Sequence, residues 1–343
     1  MMKQLLIITA AAILVMSCSS KSQKADDPLA DSGRTQRTED LLANLKALGD
    51  SSVYLFGQHD ATVYGIGWQA DYANDSTVHQ RSDVKSVCGD HPALLSFDLG
   101  RLELGDSLNL DSVPFQRIRQ EVIAHFNRGG LISLSWTDGD ATKTVAVADF
   151  LQSLETPYGV KVPVVFRLRG QFTADDWRTV VSQFREHGVT NALYAYSPGT
   201  ESDGDEAKYL ERYPGDDYID LLGLDCYCWA PDADTTQVAR YAATLDKNLQ
   251  MVCAIAKQRH KAVALTETGY ECLKTPDWWT HALAPVLAKH PICYALAWRN
   301  AHNRPNHFFA PYPGQQSASD FIRFYNDPRT LFLSDVNGLY LKK

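Results

Sequence analysis

Short apolar runs recur along this chain, each closed by polar or aromatic residues. They cover residues 53–57, 93–98, 131–136, 162–167, 192–196, 219–225, 262–267 and 292–298. They read as buried strands and start roughly thirty to forty residues apart, the span of one strand, one helix and two loops. Helical stripes fill the gaps: Phe115, Ile118, Val122 and Phe126; Trp177, Val180, Val181 and Phe184; Leu245, Leu249, Val252 and Ile255. Alternating strands and helices imply a parallel sheet, and eight repeats favour its closure into a (β/α)8 TIM barrel.

The first residues follow a different pattern. Lys3 gives a positive start, residues 5–15 form an apolar stretch too short to span a bilayer, and Val15-Met-Ser-Cys18 ends it. That ending resembles a bacterial lipobox, in which the cysteine is lipidated; an ordinary secretory signal with an incidental cysteine is the alternative. Residues 19–36 are rich in Ser, Lys, Asp and Gly and offer little to bury. The expected organisation is a signal peptide over 1–17, a flexible tether over 18–36 beginning at the lipidated Cys18, and a barrel over 37–343. Such a protein is an exported lipoprotein, held at a membrane by its lipid.

Composition narrows the chemistry. A net charge of -8 argues against a nucleic-acid partner. Beyond Cys18, the six cysteines lack paired CxxC spacing and have no accompanying His cluster, so no metal site is expected. Several lie within apolar strands, where free thiols are common, and no disulfide is assigned.

The strand ends carry the candidate chemistry. Strand one ends at His59, strand two at Asp98, strand three at Trp136, strand six at Asp225 and Tyr227, strand seven at Glu267, and strand eight at Trp298 and Arg299. Catalytic groups of such barrels sit at the carboxyl ends of strands. Aromatic faces and charged groups on one rim suit a sugar. Glu267, with Gly269 expected to break its strand, is poorly solvated and aimed at a crevice; a glutamate there could instead cap the next helix.

From about residue 53 to 340 the chain resembles glycoside hydrolase family 26, the β-mannanases among retaining barrel glycosidases, and especially their Bacteroidetes lipoprotein members. The resemblance rests on Phe56-Gly-Gln-His59 with Tyr64-Gly65 and Trp68, Arg81-Ser-Asp-Val84, and Val87-Cys-Gly-Asp90. It continues in Leu193-Tyr-Ala-Tyr-Ser-Pro198, Tyr213-Pro-Gly-Asp-Asp-Tyr218, Leu224-Asp-Cys-Tyr227, Leu265-Thr-Glu-Thr-Gly269 and Trp298-Arg-Asn-Ala301 followed by Pro305-Asn-His307. It implies Glu267 as nucleophile, Tyr227 as its hydrogen-bond partner, and Trp298 and Arg299 as sugar contacts. His59, Trp136 and Asp225 join these as substrate-binding candidates. The implied partner is a β-mannan polysaccharide or oligosaccharide, with no cofactor.

Two departures fall on the catalytic rim. Retaining hydrolysis needs a second carboxyl about 5 to 5.5 Å from the nucleophile. The family supplies it from strand four in Arg-Pro-x-His-Glu, followed by a Trp-rich loop. Here only Arg167 fits: either Gln171 stands in place of the glutamate, or the His-Glu segment is deleted and Thr173-Ala-Asp-Asp-Trp177 follows directly. After strand three the family has His and a longer loop, where this chain has Thr137-Asp-Gly-Asp. Asp138, Asp140, Asp175 and Asp176 are candidate substitutes, the last two at a helix start where acidic residues are expected anyway. The acid/base is therefore unassigned. The expected activity is a retaining endo-β-1,4-mannanase acting on mannan, glucomannan or galactomannan. The alternatives are an inactive or weakened relative that binds β-mannan and an endo-β-glycanase of β-glucan or xylan specificity.

Overall fold

A computed structural model describes residues 28–342. All eight expected strands form: β1 (Tyr54–His59), β2 (Leu94–Asp98), β3 (Leu131–Thr137), β4 (Val164–Arg169), β5 (Ala192–Tyr196), β6 (Leu221–Cys228), β7 (Ala262–Tyr270) and β8 (Tyr294–Ala297). Each pairs in parallel with its sequence neighbour, and β8 pairs with β1 to close the barrel. The expected helical stripes lie on helices Phe115–Phe126, Ala174–Glu186 and Thr235–Arg259. Their apolar residues join the sheet's outward side chains in one continuous layer, from Ile118 and Val122 through Phe184 to Leu249 and Val252.

The barrel interior near the strand starts is filled by Leu55, Leu94, Leu131, Val165, Leu193 and Leu221. Leu41 and Leu45 of the helix Gln36–Asp50 close this end together with Leu339 and Tyr340. The opposite end carries the polar residues. That division suits a barrel whose amino end stabilises and whose carboxyl end reacts.

Three expectations change. The tether does not run to residue 36: Arg34 makes two hydrogen bonds to Asp220, at 2.9 and 2.8 Å, and Thr35 caps the first helix while its amide bonds Thr190. Residues 28–36 thus belong to the folded body, which the polar composition concealed. Cys18 and the signal peptide lie outside the described residues. Gly269 does not end β7, which continues to Tyr270. A Cβ there would sit 2.4 Å from the Phe309 ring, so the glycine admits that ring. Last, Trp136 is not on the open rim. Ser135 and Thr137 both face inward to Asp98. The period of two then sends Trp136 outward, into the helix layer. It is fully buried against Phe172, with its indole N–H on Glu103.

Candidate active site

The site is organised around a bulge in β7. Leu265 pairs with Leu224, but Glu267 pairs with Asp225, so Thr266 is an extra residue on β7. Bulges beside active sites re-aim side chains. Here the result turns Glu267 into the barrel mouth, 1% exposed, while the Thr266 hydroxyl donates to Asp225 Oδ1 at 2.7 Å.

Glu267 is held from two strands. On β4, Arg167 and Arg169 are two residues apart and so share the inward face. Arg167 Nη2 donates to Glu267 Oε1, and its Nη1 reaches the Thr266 carbonyl at 2.7 Å and Asp225 Oδ1 at 3.3 Å. Arg169 places Nε 2.8 Å from Oε1 and Nη2 3.1 Å from Oε2. From β6, the Tyr227 hydroxyl donates to Oε2 at 2.8 Å. Burial pushes the Glu267 carboxyl up, but Arg169, Arg167, Tyr227 and His59 hold it below the usual glutamate range. It is an ionised, oriented carboxylate, as a nucleophile requires.

Asp225 behaves in the opposite way. Burial and the neighbouring Glu267 charge push its carboxyl up to about 7, against Arg167 and Arg169. Two carboxyls whose environments drive them apart are the usual arrangement for dividing nucleophile from acid.

A second cluster lies at β1 and β8. The His59 ring stacks parallel to Trp298, 4.2 Å between centres, and hydrogen-bonds Ser96 at 3.2 Å. His59 Nε2 lies 3.5 Å from both Asp60 and Asp111. Arg299 bonds Asp111 at 2.9 Å and donates to the Tyr64 hydroxyl at 3.0 Å, while Tyr64 donates to Asp60. The His59, Asp60 and Asp111 donor atoms fall within 4.8 Å of one another. Burial lowers the His59 pKa, but Asp60, Asp111 and Glu267 outweigh it and raise it, while Arg299 pairs with Asp111.

Arg169 joins the two clusters. Its guanidinium lies 4.8 Å from the Trp298 ring centre while also bonding Glu267. Trp298, expected to stack on a sugar, is therefore engaged by His59 and Arg169. Arg299 is held in the Asp111–Tyr64 cluster, and Asp225 and Tyr227 converge on Glu267. An aromatic that the sequence reading missed, Trp229, is 63% exposed and stacks on Tyr227 with ring centres 5.3 Å apart. Its spacing of two from Tyr227 carried the signal, as did the Arg167–Arg169 spacing.

Strand four supplies no carboxyl. The chain passes from Arg169 through Gly170, in left-handed backbone at φ 97°, to the helix cap at Thr173. Gln171 is exposed on the wall of a 380 Å³ cavity, with Arg169, Tyr196, Glu201, Arg212 and Asp225 also lining it. Of the substitute carboxyls, Asp176 closes a capping box with Thr173, and Asp175 pairs with Arg178. Asp140 bonds Thr142. Asp138 is exposed and hangs over Gly170, where a Cβ would meet its Oδ1 at 1.9 Å.

The chain is similar to known proteins over most of its length. The model for glycosyl hydrolase family 26 matches residues 141–261, a segment that ends just before β7. A GH26 β-mannanase from Bacteroides ovatus is 41% identical, with a TM-score of 0.80 covering 90% of this chain and 98% of that one. A mannan endo-1,4-β-mannosidase from Bifidobacterium adolescentis is 27% identical over 91% of this chain, which spans only 36% of that protein's length. A 53-residue stretch, 16% of this chain and 6% of that protein, is 36% identical to endoglucanase H of Acetivibrio thermocellus. On the likeness to the Bacteroides ovatus protein, which extends across nearly the whole of both chains, this chain belongs to glycosyl hydrolase family 26.

Proposed function

We propose that this protein is a retaining endo-β-1,4-mannanase that cleaves mannan, glucomannan or galactomannan through a glycosyl-enzyme on Glu267. The observation that carries the reading is the Glu267 carboxylate, buried at the barrel mouth and kept ionised by Arg167, Arg169 and Tyr227. The mannanases among its relatives support β-mannan as the polymer. Exposed Trp229 beside Tyr227 provides an aromatic face for a sugar ring. The test is incubation with each mannan, following new reducing ends and the anomer first released. Retained configuration with loss of activity in Glu267→Ala supports it; inverted product or an active Glu267→Ala enzyme overturns it.

One observation favours a second reading, a weakened relative that binds β-mannan without efficient cleavage. Arg169 occupies the end of strand four, where the family places its acid, and covers both Glu267 and Trp298. Calorimetric binding of mannohexaose with no new reducing ends would establish it. A β-glucan or xylan specificity draws only on the short endoglucanase likeness, and the same assay on those polymers decides it. We also propose, from the Val15-Met-Ser-Cys18 pattern, that the protein is exported and anchored through Cys18. Wild-type protein found wholly in the soluble fraction would end that proposal.

A further inference from the structure

We infer that Asp225, on β6, is the general acid/base that replaces the carboxyl missing from strand four. The inference rests on the reading of Glu267 as nucleophile and adds the residue that reading leaves open.

Position is the first ground. Asp225 and Glu267 are paired across adjacent strands, which run about 4.8 Å apart. Both carboxyls bond the same Arg167 guanidinium, one at Nη1 and one at Nη2. The two carboxyls therefore face the same barrel mouth and are bridged by one guanidinium.

Accessibility is the second. Asp225 Oδ1 takes the bonds from Thr266 and Arg167, while Oδ2 accepts from no group among the described residues. The side chain is 17% exposed and forms part of the wall of the 380 Å³ cavity between the ends of β4, β5 and β6. His59, Trp298 and Arg299 lie on the other flank of Glu267, at β1 and β8. A sugar chain crossing Glu267 would therefore set its leaving portion in the cavity, with the bridging oxygen beside Asp225.

Protonation is consistent with this placement. Glu267, Arg167, Arg169 and the hydroxyls of Tyr209, Tyr227 and Tyr294 surround Asp225, and burial together with Glu267 favours its neutral form. Asp138, the rival on the neighbouring strand-three loop, is exposed, and its contact is with Gly170 rather than Glu267.

The chemistry then balances. A Glu267 oxygen attacks the anomeric carbon and forms an ester bond as the glycosidic C–O bond breaks. The released electron pair stays on the bridging oxygen, which takes the Asp225 Oδ2 proton and leaves as an alcohol. Asp225, now a carboxylate, removes a proton from water as that water's oxygen attacks the anomeric carbon. Glu267 departs as carboxylate and Asp225 regains its proton, with one water consumed.

The test compares wild type, Asp225→Asn, Asp138→Asn and Glu267→Ala on mannohexaose and on 2,4-dinitrophenyl β-mannobioside, whose leaving group needs no proton. Asparagine keeps the shape of Asp225 and an oxygen for Thr266 and Arg167, and a melting curve checks that the fold survives. We expect Asp225→Asn to lose about 10² to 10⁴-fold on mannohexaose while forming the glycosyl-enzyme from the aryl substrate within about tenfold of wild type. Azide, which needs no general base, should then release a β-mannobiosyl azide from Asp225→Asn. The inference is overturned if both substrates slow equally, if Asp138→Asn shows the split instead, or if wild type forms the glycosyl-enzyme from the aryl substrate yet leaves mannohexaose uncut. Failure of the nucleophile reading is separate: the aryl substrate would be hydrolysed as fast by Glu267→Ala as by wild type, or by neither.

Discussion

The two flanks of the barrel mouth differ in how they use charge. On the β6–β7 flank, a bulge, a tyrosine and an aspartate converge on Glu267 and leave one Asp225 oxygen open. On the β3–β4 flank the loops are short, a tryptophan has turned into the helix layer, and an arginine reaches across the mouth. The first flank keeps the parts of a nucleophilic site; the second has exchanged a proton donor for a fixed cation. A cation beside a nucleophile keeps it ionised but also competes with substrate for it. The acid's task accordingly falls to the flank that keeps an open carboxyl oxygen.

The largest expected effect comes from removing the nucleophile. Glu267→Ala should reduce glycosyl-enzyme formation from the dinitrophenyl mannobioside by on the order of 10⁶-fold, as loss of a covalent nucleophile does elsewhere. Mass spectrometry of a trapped 2-fluoro-mannosyl adduct checks the site: label on any residue but Glu267 would break the comparison at its stronger half.

The pH profile comes next. Glu267 is held below the usual glutamate range, so activity on mannan should persist well into acid and fall only as that carboxyl takes a proton. Asp225, raised to about 7, must be protonated to act, so kcat/KM should fall above about pH 7. Stability follows the same sign. An acid whose folded pKa is raised contributes stability that is complete below its unfolded value near 3.8 and is lost as pH rises through about 7. A kcat/KM profile on mannohexaose that stays flat from pH 6 to about 9 would exclude Asp225 as the titrating acid.

Arg169→Met tests the altered flank. It removes one of the two guanidinium groups that bond Glu267 and uncovers the side of Trp298 that Arg169 lies against. The acidic limb of the pH profile should move to higher pH, and mannohexaose should bind more tightly. Unchanged affinity and an unmoved limb would mean that Arg169 is a bystander. Two tryptophans sharpen the same contrast. Trp136→Ala should cost about 3–5 kcal/mol of stability, since the residue is fully buried, whereas Trp298→Ala should weaken sugar binding more than it lowers Tm.

The barrel was readable because eight apolar runs and their helical partners repeat one physical demand, burial on both faces of a parallel sheet. Glu267, Asp225 and Tyr227 were readable because the strand period places them together. The same period pointed Trp136 outward between Ser135 and Thr137, a parity that its aromatic character obscured. Arg169 was hidden for another reason. Its spacing of two from Arg167 set it on the inward face, but a basic residue near a strand end ordinarily reads as solvated, and its partner Glu267 is distant in sequence. The fold of residues 28–36 was hidden too, because Arg34 finds Asp220 at a distance in sequence that no local pattern conveys.

The smallest effect concerns the acidic pair after strand four, Asp175 and Asp176, which are near the missing acid in sequence only. Thr173 and Asp176 exchange hydrogen bonds as a capping box, the Thr173 hydroxyl accepting from the Asp176 amide at 3.1 Å and Asp176 accepting from the Thr173 amide at 2.8 Å. Asp175 is 89% exposed and pairs with Arg178, an arrangement that adds little. Thr173→Ala should therefore cost about 1 kcal/mol, read as a small fall in Tm, with kcat on mannan unaltered. Asp175→Asn should change neither. A fall in kcat for Asp175→Asn or Asp176→Asn comparable to that of Asp225→Asn would return the acid to the strand-four side, and with it the claim that only one flank still does the chemistry.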